Sequence, residues 1–361
     1  MRSKYLVLGI LNAALLLIFV LISAVAAAVG KSLPDQHAAE RWAGGEMPYA
    51  QVSVFSGAAS AMDINSVFMA RVNIEKKLTE ASFAPERDGA RVWADAFSAS
   101  QRKISVSTDR ATSDANLIAT GGDFFLFHPF EIISGYYYSD DDVMHDRVLI
   151  DEVLAWQLYG SSNVAGKPVR VDGTYYVISG VFRQSENSDV EKVYGMSPRI
   201  FMPYEGYSLL GGGEAVFTCY EACLPNQVTG QGKQIITEAL SVQEENTDIR
   251  IVENSVRYGL KNRFEIIADF GMRSVVDGAV VYPFWENAAR ITEDKSALLL
   301  AFQILFLVFP TVTALYLLHL LVKSRKKLVR KAIDALKRVS DRSRSWFAHR
   351  KSRKADPTLI Q

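Results

Sequence analysis

Two long apolar runs lie at opposite ends of the chain, at positions 5–29 and 297–322. At ~1.5 Å of rise per residue, a helix formed by either run is long enough to cross a hydrocarbon core of ~30 Å. The polar stretch between them is long enough for one large or two small globular domains. The pattern therefore predicts five segments: a cytoplasmic N-terminus (1–4), a transmembrane helix (5–29), an extracytoplasmic domain (30–296), a second transmembrane helix (297–322) and a basic cytoplasmic tail (323–361) that is helical to about residue 350.

The polar middle stretch contains segments with clear local signals. The alternation of polar and apolar side chains from Gln51 to Phe55 predicts a half-buried strand. Asp63 is a suitable N-cap for a following helix. The apolar stripe of that helix is expected at Ile64, Val67, Ala70, Ile74 and Leu78, which recur at helical spacing. An Asp172-Gly173 turn between two alternating segments predicts a β-hairpin.

The remaining pattern mixes strands and helices. Further strands are predicted at 91–98, 103–108, 116–120, 147–150, 199–202 and 248–252. One helix is expected to begin at Asp151 and Glu152, whose charges suit a helix N-terminus, and to end at Gly160. Another is predicted at 227–240. Because these elements follow no regular βαβ period, the predicted fold class is an α+β extracytoplasmic domain flanked by two transmembrane α-helices.

Basic residues near the two runs predict the orientation in the membrane. Arg2 and Lys4 precede the first run, and six Lys or Arg residues lie at 323–331 after the second, whereas the inner flanks are sparser. By the positive-inside rule, both termini are cytoplasmic in a two-pass protein of the cell (plasma) membrane. An alternative is that the first run is a cleaved signal with a site at 24–26, although it is longer than the ~7–15 residues of a signal core. Either reading leaves the middle domain outside.

The neutral overall charge, from 40 basic and 40 acidic residues, conceals an asymmetry. After Val322 there are 14 basic and 3 acidic residues, while the stretch between the N-terminus and that tail has 24 basic and 37 acidic residues. The sequence thus predicts an acidic exterior domain and a basic cytoplasmic tail, with no nucleic-acid partner.

The tail has an apolar face among its basic residues. Its candidate docking positions are Val329, Ile333, Leu336 and Val339, together with Lys326, Lys327 and Arg330. Membrane lipid is one expected partner, since basic residues are attracted to the anionic inner leaflet by roughly 1 kcal/mol each. Docking of the apolar face onto a cytoplasmic protein is the other.

Few residues suggest covalent chemistry. Cys219 and Cys223 are too few for a closed zinc site and are a candidate disulfide in an oxidising exterior; two unlinked thiols are the alternative. The segment 160–168 lacks the spacing of a phosphate-binding loop. The acidic segment 139–142 lacks the spaced ligands of a calcium loop, and the exterior histidines are not spaced for a shared metal. We therefore predict no catalytic, metal-binding or cofactor-binding residues, no cofactor, and no enzymatic activity.

Positions 121–184 contain an ordered series of turn residues and packing residues, which we call the 121–184 motif. Its parts are Asp123-Phe124-Phe125, Gly135 with 140–142, Val148 to Glu152, Ala155, Leu158-Tyr159-Gly160, Gly166, Gly173, and Val177 to Val181, followed later by Phe201-Met202-Pro203. The 121–184 motif resembles the MacB-like periplasmic core domain of MacB/FtsX-type ABC transporter permeases. Permeases of that family continue beyond the return span with two further membrane helices, so the chain is expected to be a shortened two-span form.

The resemblance implies a function. We expect a non-catalytic, permease-like membrane subunit of an ABC-type export or mechanotransmission complex, working with a separate ABC ATPase subunit. Because two spans cannot enclose a pathway, such a role also implies a homo-oligomer or a second permease-like subunit. The alternative is a membrane-tethered extracytoplasmic binding or sensing domain without an ATPase. An exterior hydrolase is disfavoured by the missing motifs.

Overall fold

A computed structural model describes residues 2–43, 47–83, 90–139, 142–210, 215–242, 246–269 and 279–352 of the chain. The chain forms two compact units. One consists of the N-terminal part up to Ile22 and the part from Phe302 onward, and the other runs from Ser23 to Ala301.

Eleven strands in the second unit form one mixed sheet. They are β1 (Tyr49–Ser56), β2 (Ala94–Ala99), β3 (Arg102–Ser107), β4 (Thr112–Gly122), β5 (Glu131–Gly135), β6 (Arg147–Asp151), β7 (Pro168–Val171), β8 (Thr174–Arg183), β9 (Arg199–Pro203), β10 (Phe217–Pro225) and β11 (Ile249–Glu253). The order is β11-β1-β10-β2-β4-β3-β7-β8-β6-β9, with β5 on β8. Because β9 also pairs in parallel with β4, the strands from β4 to β9 on this path close into a ring.

The described helices are α1 (Arg2–Gly30), α2 (Ala38–Ala43), α3 (Ile64–Glu80), α4 (Phe124–Phe127), α5 (Glu152–Tyr159), α6 (Ser188–Tyr194), α7 (Tyr204–Ser208), α8 (Gln231–Ala239), α9 (Leu260–Ala268) and α10 (Phe284–Ser352). Short 3-10 turns occur at Pro34–Gln36, Ala58–Ser60 and Asn254–Val256. The interleaving of strands and helices confirms the α+β class.

Three apolar clusters make up the core of the unit from Ser23 to Ala301. One fills the ring beneath α5 and includes Leu154, Ile178 and Ile200. A second packs α3 and α8 against the open part of the sheet. The third is rich in aromatic rings and brings Phe55 and Phe201 together with Trp285 of α10. The sheet therefore lies between apolar layers, as amphipathic elements require.

Strand β1 differs from the prediction of a half-buried strand. The alternation from Gln51 to Phe55 is present, but both faces are covered, and Gln51 and Ser53 are buried. The apolar face of the strand meets α8, while the polar residues face other polar groups of the interior. An alternating sequence shows that the two faces differ in polarity, not that one of them meets water.

Most of the strong local signals are confirmed. Asp63 accepts a hydrogen bond from the Ser66 N–H at 2.7 Å and caps α3, and Asp151 caps α5 in the same way through Leu154. Asp172 and Gly173 both have positive φ, which is the geometry of a two-residue hairpin turn. In contrast, α8 begins at Gln231 rather than at residue 227, and β2 begins at Ala94 rather than at 91.

Within the described residues, two helices are long and apolar enough to cross a membrane, Tyr5–Gly30 and Phe284–Arg325. The second helix starts well before its apolar run. Its first turns are buried in the unit from Ser23 to Ala301, where Trp285, Ala288 and Ala289 belong to the core. Because these first turns mix charged and polar residues with apolar ones, the apolar pattern alone predicted only the later part of α10.

The candidate disulfide is not formed, and this expectation is corrected. Cys219 and Cys223 are both free and buried in β10. Four residues along a strand span about 13 Å, whereas a disulfide joins Cα atoms less than about 7 Å apart. Burial raises the pKa of the Cys223 thiol well above its ordinary value, so the reactive thiolate is disfavoured.

The buried thiols give a direct prediction. In the folded chain, without reductant, a maleimide reagent is expected to label neither Cys219 nor Cys223, because both side chains are almost fully covered. In denaturant, still without reductant, both are expected to react. Mass spectrometry of the labelled chain counts the added groups. Recovery of two reactive thiols only after reduction would show that the cysteines are bonded after all.

Candidate functional site

His128 is held between two carboxylates in the interior. It follows α4 directly, its Nδ1 lies 2.8 Å from Oδ1 of Asp35, and its Nε2 lies 2.5 Å from Oε2 of Glu221. Because a carboxylate accepts hydrogen bonds, both ring nitrogens donate and the imidazole is charged. Burial alone lowers the pKa of His128, but the charge of Glu221 and the hydrogen bonds to both carboxylates outweigh it and raise this pKa to about 9.

Two uncharged side chains connect Glu221 to a second charged centre. Ser53 of β1 donates a hydrogen bond from Oγ to Oε1 of Glu221 at 2.6 Å. Asn254 donates from Nδ2 to the same Ser53 oxygen at 2.7 Å. The Oδ1 of Asn254 in turn accepts a hydrogen bond of 3.2 Å from Nη1 of Arg257. Each polar atom in this path therefore has a partner without access to water, as burial requires.

Arg257 forms the second charged centre and is only 2% exposed. Its Nη1 and Nη2 donate to both carboxylate oxygens of Glu286, at 2.7 and 2.6 Å, and its Nε donates to Glu293 at 2.7 Å. Nη1 also reaches Oε1 of Gln36 at 3.0 Å. Burial disfavours the guanidinium charge, but the two carboxylates hold the pKa of Arg257 above its ordinary value. The fork geometry suits a guanidinium and does not suit an ammonium group.

These groups form one connected set, which we call the Arg257 network. Its members are Asp35, Gln36, Ser53, His128, Glu221, Asn254, Arg257, Glu286 and Glu293. The set contains two cations and four carboxylates. Of these carboxylates, Glu221 and Asp35 are the ones that raise the pKa of His128.

The Arg257 network joins chain segments that adjoin the two candidate spans. Asp35 and Gln36 follow shortly after α1, while Glu286 and Glu293 lie in the first turns of α10, before its apolar run. Gln51 adds to the connection. Its Oε1 accepts from the Ala38 N–H at 2.8 Å, and its Nε2 donates to the Asp35 carbonyl at 2.6 Å. The sheet is therefore hydrogen-bonded to both segments.

Three further contacts hold the first turns of α10. The buried carboxylate of Asp189 accepts from Thr292 at 3.0 Å and pairs with Lys295. The guanidinium of Arg199 lies 4.4 Å from the ring centroid of Phe284 and 3.5 Å from that of Tyr194. The beginning of α10 is thus fixed to the domain by charge and ring contacts as well as by apolar packing.

The ion pairs of the Arg257 network are buried, which sets the energetic cost of separating their partners. Removing one partner from a buried ion pair leaves an uncompensated charge, at a cost of about 3–5 kcal/mol. Pulling either membrane-adjoining segment away from the sheet would expose several such groups at once. The Arg257 network therefore favours movement of these segments together with the sheet.

The predicted docking positions lie on a helix that the structure continues to Ser352, close to the predicted end near residue 350. The side chain of Ile333 is 47% exposed. The side chains of Val329, Leu336, Val339, Lys326, Lys327 and Arg330 lie outside the described residues. Docking at these positions stays a prediction.

Part of the acidic segment 139–142 also lies outside the described residues, at 140–141. Asp142 pairs with Arg147 at 2.6 Å. Over the described part of the chain, no group of three His, Cys, Asp or Glu side chains is placed to hold a metal ion.

The sequence analysis did not predict the Arg257 network. The sequence analysis weighs the exterior histidines only as metal ligands, and the half-buried strand predicted at 51–55 leaves its polar face in water. One signal was present: Glu286 and Glu293 are seven residues apart, which places them on the same face of a helix that leads into an apolar run. That spacing lets both carboxylates reach one basic partner, but it does not identify Arg257.

Comparison with known proteins identifies the family. The model of the MacB-like periplasmic core domain matches residues 6–235, well over half of the chain. The chain belongs to this family. This match confirms that the 121–184 motif resembles the MacB-like periplasmic core domain of ABC transporter permeases. The match also extends far beyond the motif on its N-terminal side. Together with the two long apolar helices, it indicates a membrane protein with an extracytoplasmic domain.

Solved structures of such domains are similar to this MacB-like chain at low identity. The periplasmic region of MacB from Actinobacillus actinomycetemcomitans is 15% identical, with a TM-score of 0.41, over 60% of this chain and 92% of that one. The extracellular domain of the noncanonic ABC-type transporter YknZ from Gram-positive bacteria is 11% identical, with a TM-score of 0.37, over 56% of this chain and 99% of that one. Among curated proteins, no sequence matches the chain.

Proposed function

We propose that this MacB-like chain is a non-catalytic, permease-like membrane subunit of an ABC-type export or mechanotransmission complex, and that it works with a separate ATPase subunit. Membership of a permease family supports the proposal. The observation that carries it is the Arg257 network, because force transmission needs a strong connection between membrane helices and the exterior domain. A weakly attached domain would let the helices move without it.

Helix α10 supplies the path for such transmission. It is assigned as one helix from Phe284 to Ser352, so Glu286 and the basic tail belong to the same element. Backbone hydrogen bonds make a helix stiff along its axis, although Pro310, inside the apolar run of α10, donates none and interrupts the ladder at that point. A partner that pushes or turns the tail would act on the same helix that carries Glu286 and Glu293.

The proposed topology has both termini in the cytoplasm and the domain at 30–296 outside. Protease added to intact cells, or to spheroplasts if an outer membrane is present, is expected to cut within that domain and to leave an epitope tag after residue 361 intact. The distribution of basic residues is the physical reason. Immunoblotting with antibodies to the tag and to the domain reads the result. Loss of the tag with an untouched domain would invert the topology and remove the basis of the proposal.

The ATPase is expected to dock on the apolar face of the tail. The full chain, purified from native membranes in a mild detergent, is expected to carry a nucleotide-binding ATPase identified by mass spectrometry and by ATP hydrolysis. The double variant Ile333→Glu, Leu336→Glu should recover at least roughly tenfold less of it, because two carboxylates would be buried at the contact.

The matched control removes basic residues from the same helix. The triple variant Lys326→Gln, Lys327→Gln, Arg330→Gln should lower binding to anionic vesicles and retain the ATPase. If the unaltered chain brings down lipid and copies of itself but no ATPase, the tail binds lipid alone. The chain would then fit the description of a membrane-tethered binding or sensing domain.

The described residues contain two candidate spans. We propose a homo-oligomer or a second permease-like subunit, since two helices cannot surround a pathway. The mass of the detergent-purified complex, measured by light scattering with the detergent contribution subtracted, distinguishes these from a single chain.

A further inference from the structure

Helix α9 has one buried face and one exposed apolar face. Arg263 and Ile266 face the interior, whereas Leu260 is 63% exposed and Phe264 is 51% exposed. Residues four apart lie one above the other on a helix, so Leu260 and Phe264 form a continuous apolar strip. Val256, just before the helix, is also exposed. A strip of two large exposed side chains is not by itself a binding surface, so its position in the fold decides how it is interpreted.

The position of α9 in the fold indicates what covers it. Gly30, the last residue of α1, packs against Tyr258, and a Cβ at Gly30 would lie 3.6 Å from the Tyr258 ring. On the other side, the guanidinium of Arg263 donates to the Ser296 carbonyl at 3.1 and 2.9 Å. Ser296 directly precedes the apolar run of α10. The segment around α9 therefore contacts the chain at the outer end of each span.

We propose that α9 lies on the lipid surface of the outer leaflet and inserts Leu260 and Phe264 at the boundary between headgroups and acyl chains. A helix with one apolar face inserts about 5–10 Å at such a boundary. The neighbouring Lys261 and Glu265 are exposed, and their charged groups are 3.8 Å apart. These polar side chains can remain in the headgroup layer while the apolar strip inserts.

Other exposed apolar residues do not share this position. Phe68, Met69 and Val72 are exposed on α3, which packs on the sheet together with α8. No described contact connects α3 to Gly30 or Ser296. Met69, which is 59% exposed and helical, is therefore a matched control for Phe264. The proposal about α9 concerns the membrane alone and does not depend on an ATPase partner.

Spin labels measure the depth of α9 in a bilayer. The full chain carrying Leu260→Cys, Phe264→Cys or, as control, Met69→Cys is labelled and placed in nanodiscs of phosphatidylcholine and phosphatidylglycerol. The buried natural thiols, Cys219 and Cys223, should take up little label. Collisions with oxygen, which concentrates in lipid, are compared with collisions with a water-soluble nickel complex.

The labels at 260 and 264 are expected to show an oxygen-to-nickel collision ratio several-fold above that at 69. The three labelled variants are compared in nanodiscs of the same lipid composition. Equal ratios at 264 and 69 would overturn the proposal and leave α9 in water. Low collision rates with both reagents at 260 and 264 would also overturn it, because they would mean that a second copy or another protein covers the strip.

Discussion

Replacing Arg257 with methionine is expected to destabilise the exterior domain by about 3–5 kcal/mol. The substitution keeps much of the side-chain volume but leaves Glu286 and Glu293 buried without the guanidinium that binds them. Unfolding of the full chain by denaturant in a mild detergent measures the effect. The combined fluorescence of the five tryptophans, among them the buried Trp285, follows the transition.

Two comparisons make this result specific. Lys261→Met removes an exposed pair with Glu265 and should change the stability by less than about 0.5 kcal/mol. Adding Glu286→Gln and Glu293→Gln to Arg257→Met should recover part of the loss, because no buried carboxylate is then left unpaired. If Arg257→Met is no more damaging than Lys261→Met, the Arg257 network does not hold the domain together.

The domain is also expected to lose about 3 kcal/mol of stability between about pH 6.5 and pH 9 through His128. The pKa of His128 is about 9 in the folded chain and 6.5 for an ordinary histidine, so the folded state binds the proton more tightly. Its contribution is fully present below about pH 6.5 and is lost as the pH rises through 9. The free energy of unfolding, measured at several pH values, tests this.

The matching variant is His128→Gln, which can still donate a hydrogen bond but cannot titrate. It should be less stable than the natural chain at pH 6 and should show a flatter profile up to pH 9. A slope that persists in His128→Gln would assign the pH dependence to other groups.

The features predicted correctly are those that neighbouring residues decide. Asp63 and Asp151 lie one residue before helical patterns, and their side chains reach only three residues along the chain. The turn at Asp172-Gly173 depends on two backbone conformations that these residues adopt easily. The two long apolar helices follow from uninterrupted apolar length. Each of these signals is complete within a short window of sequence.

The features that were missed depend on partners far away in the chain. His128 and Glu221 are 93 residues apart, and Gln36 and Arg257 are 221 apart. Nothing near Ser53 indicates that it meets Glu221 rather than water. The same holds for the closing of β9 onto β4, which depends on register between distant strands. For Cys219 and Cys223, the short spacing suggested a bond that an extended strand cannot form.

The arrangement of the Arg257 network has a consequence for biosynthesis. Its first members, Asp35 and Gln36, emerge early from the ribosome, while Glu286 and Glu293 are made only when the exterior part is nearly complete. Until then, Arg257 has no carboxylate from α10 to bind. The Arg257 network can therefore be completed only after the beginning of α10 has been synthesised. A soluble fragment for crystallisation must accordingly extend through Ser296, because one cut before Phe284 would lack both glutamates.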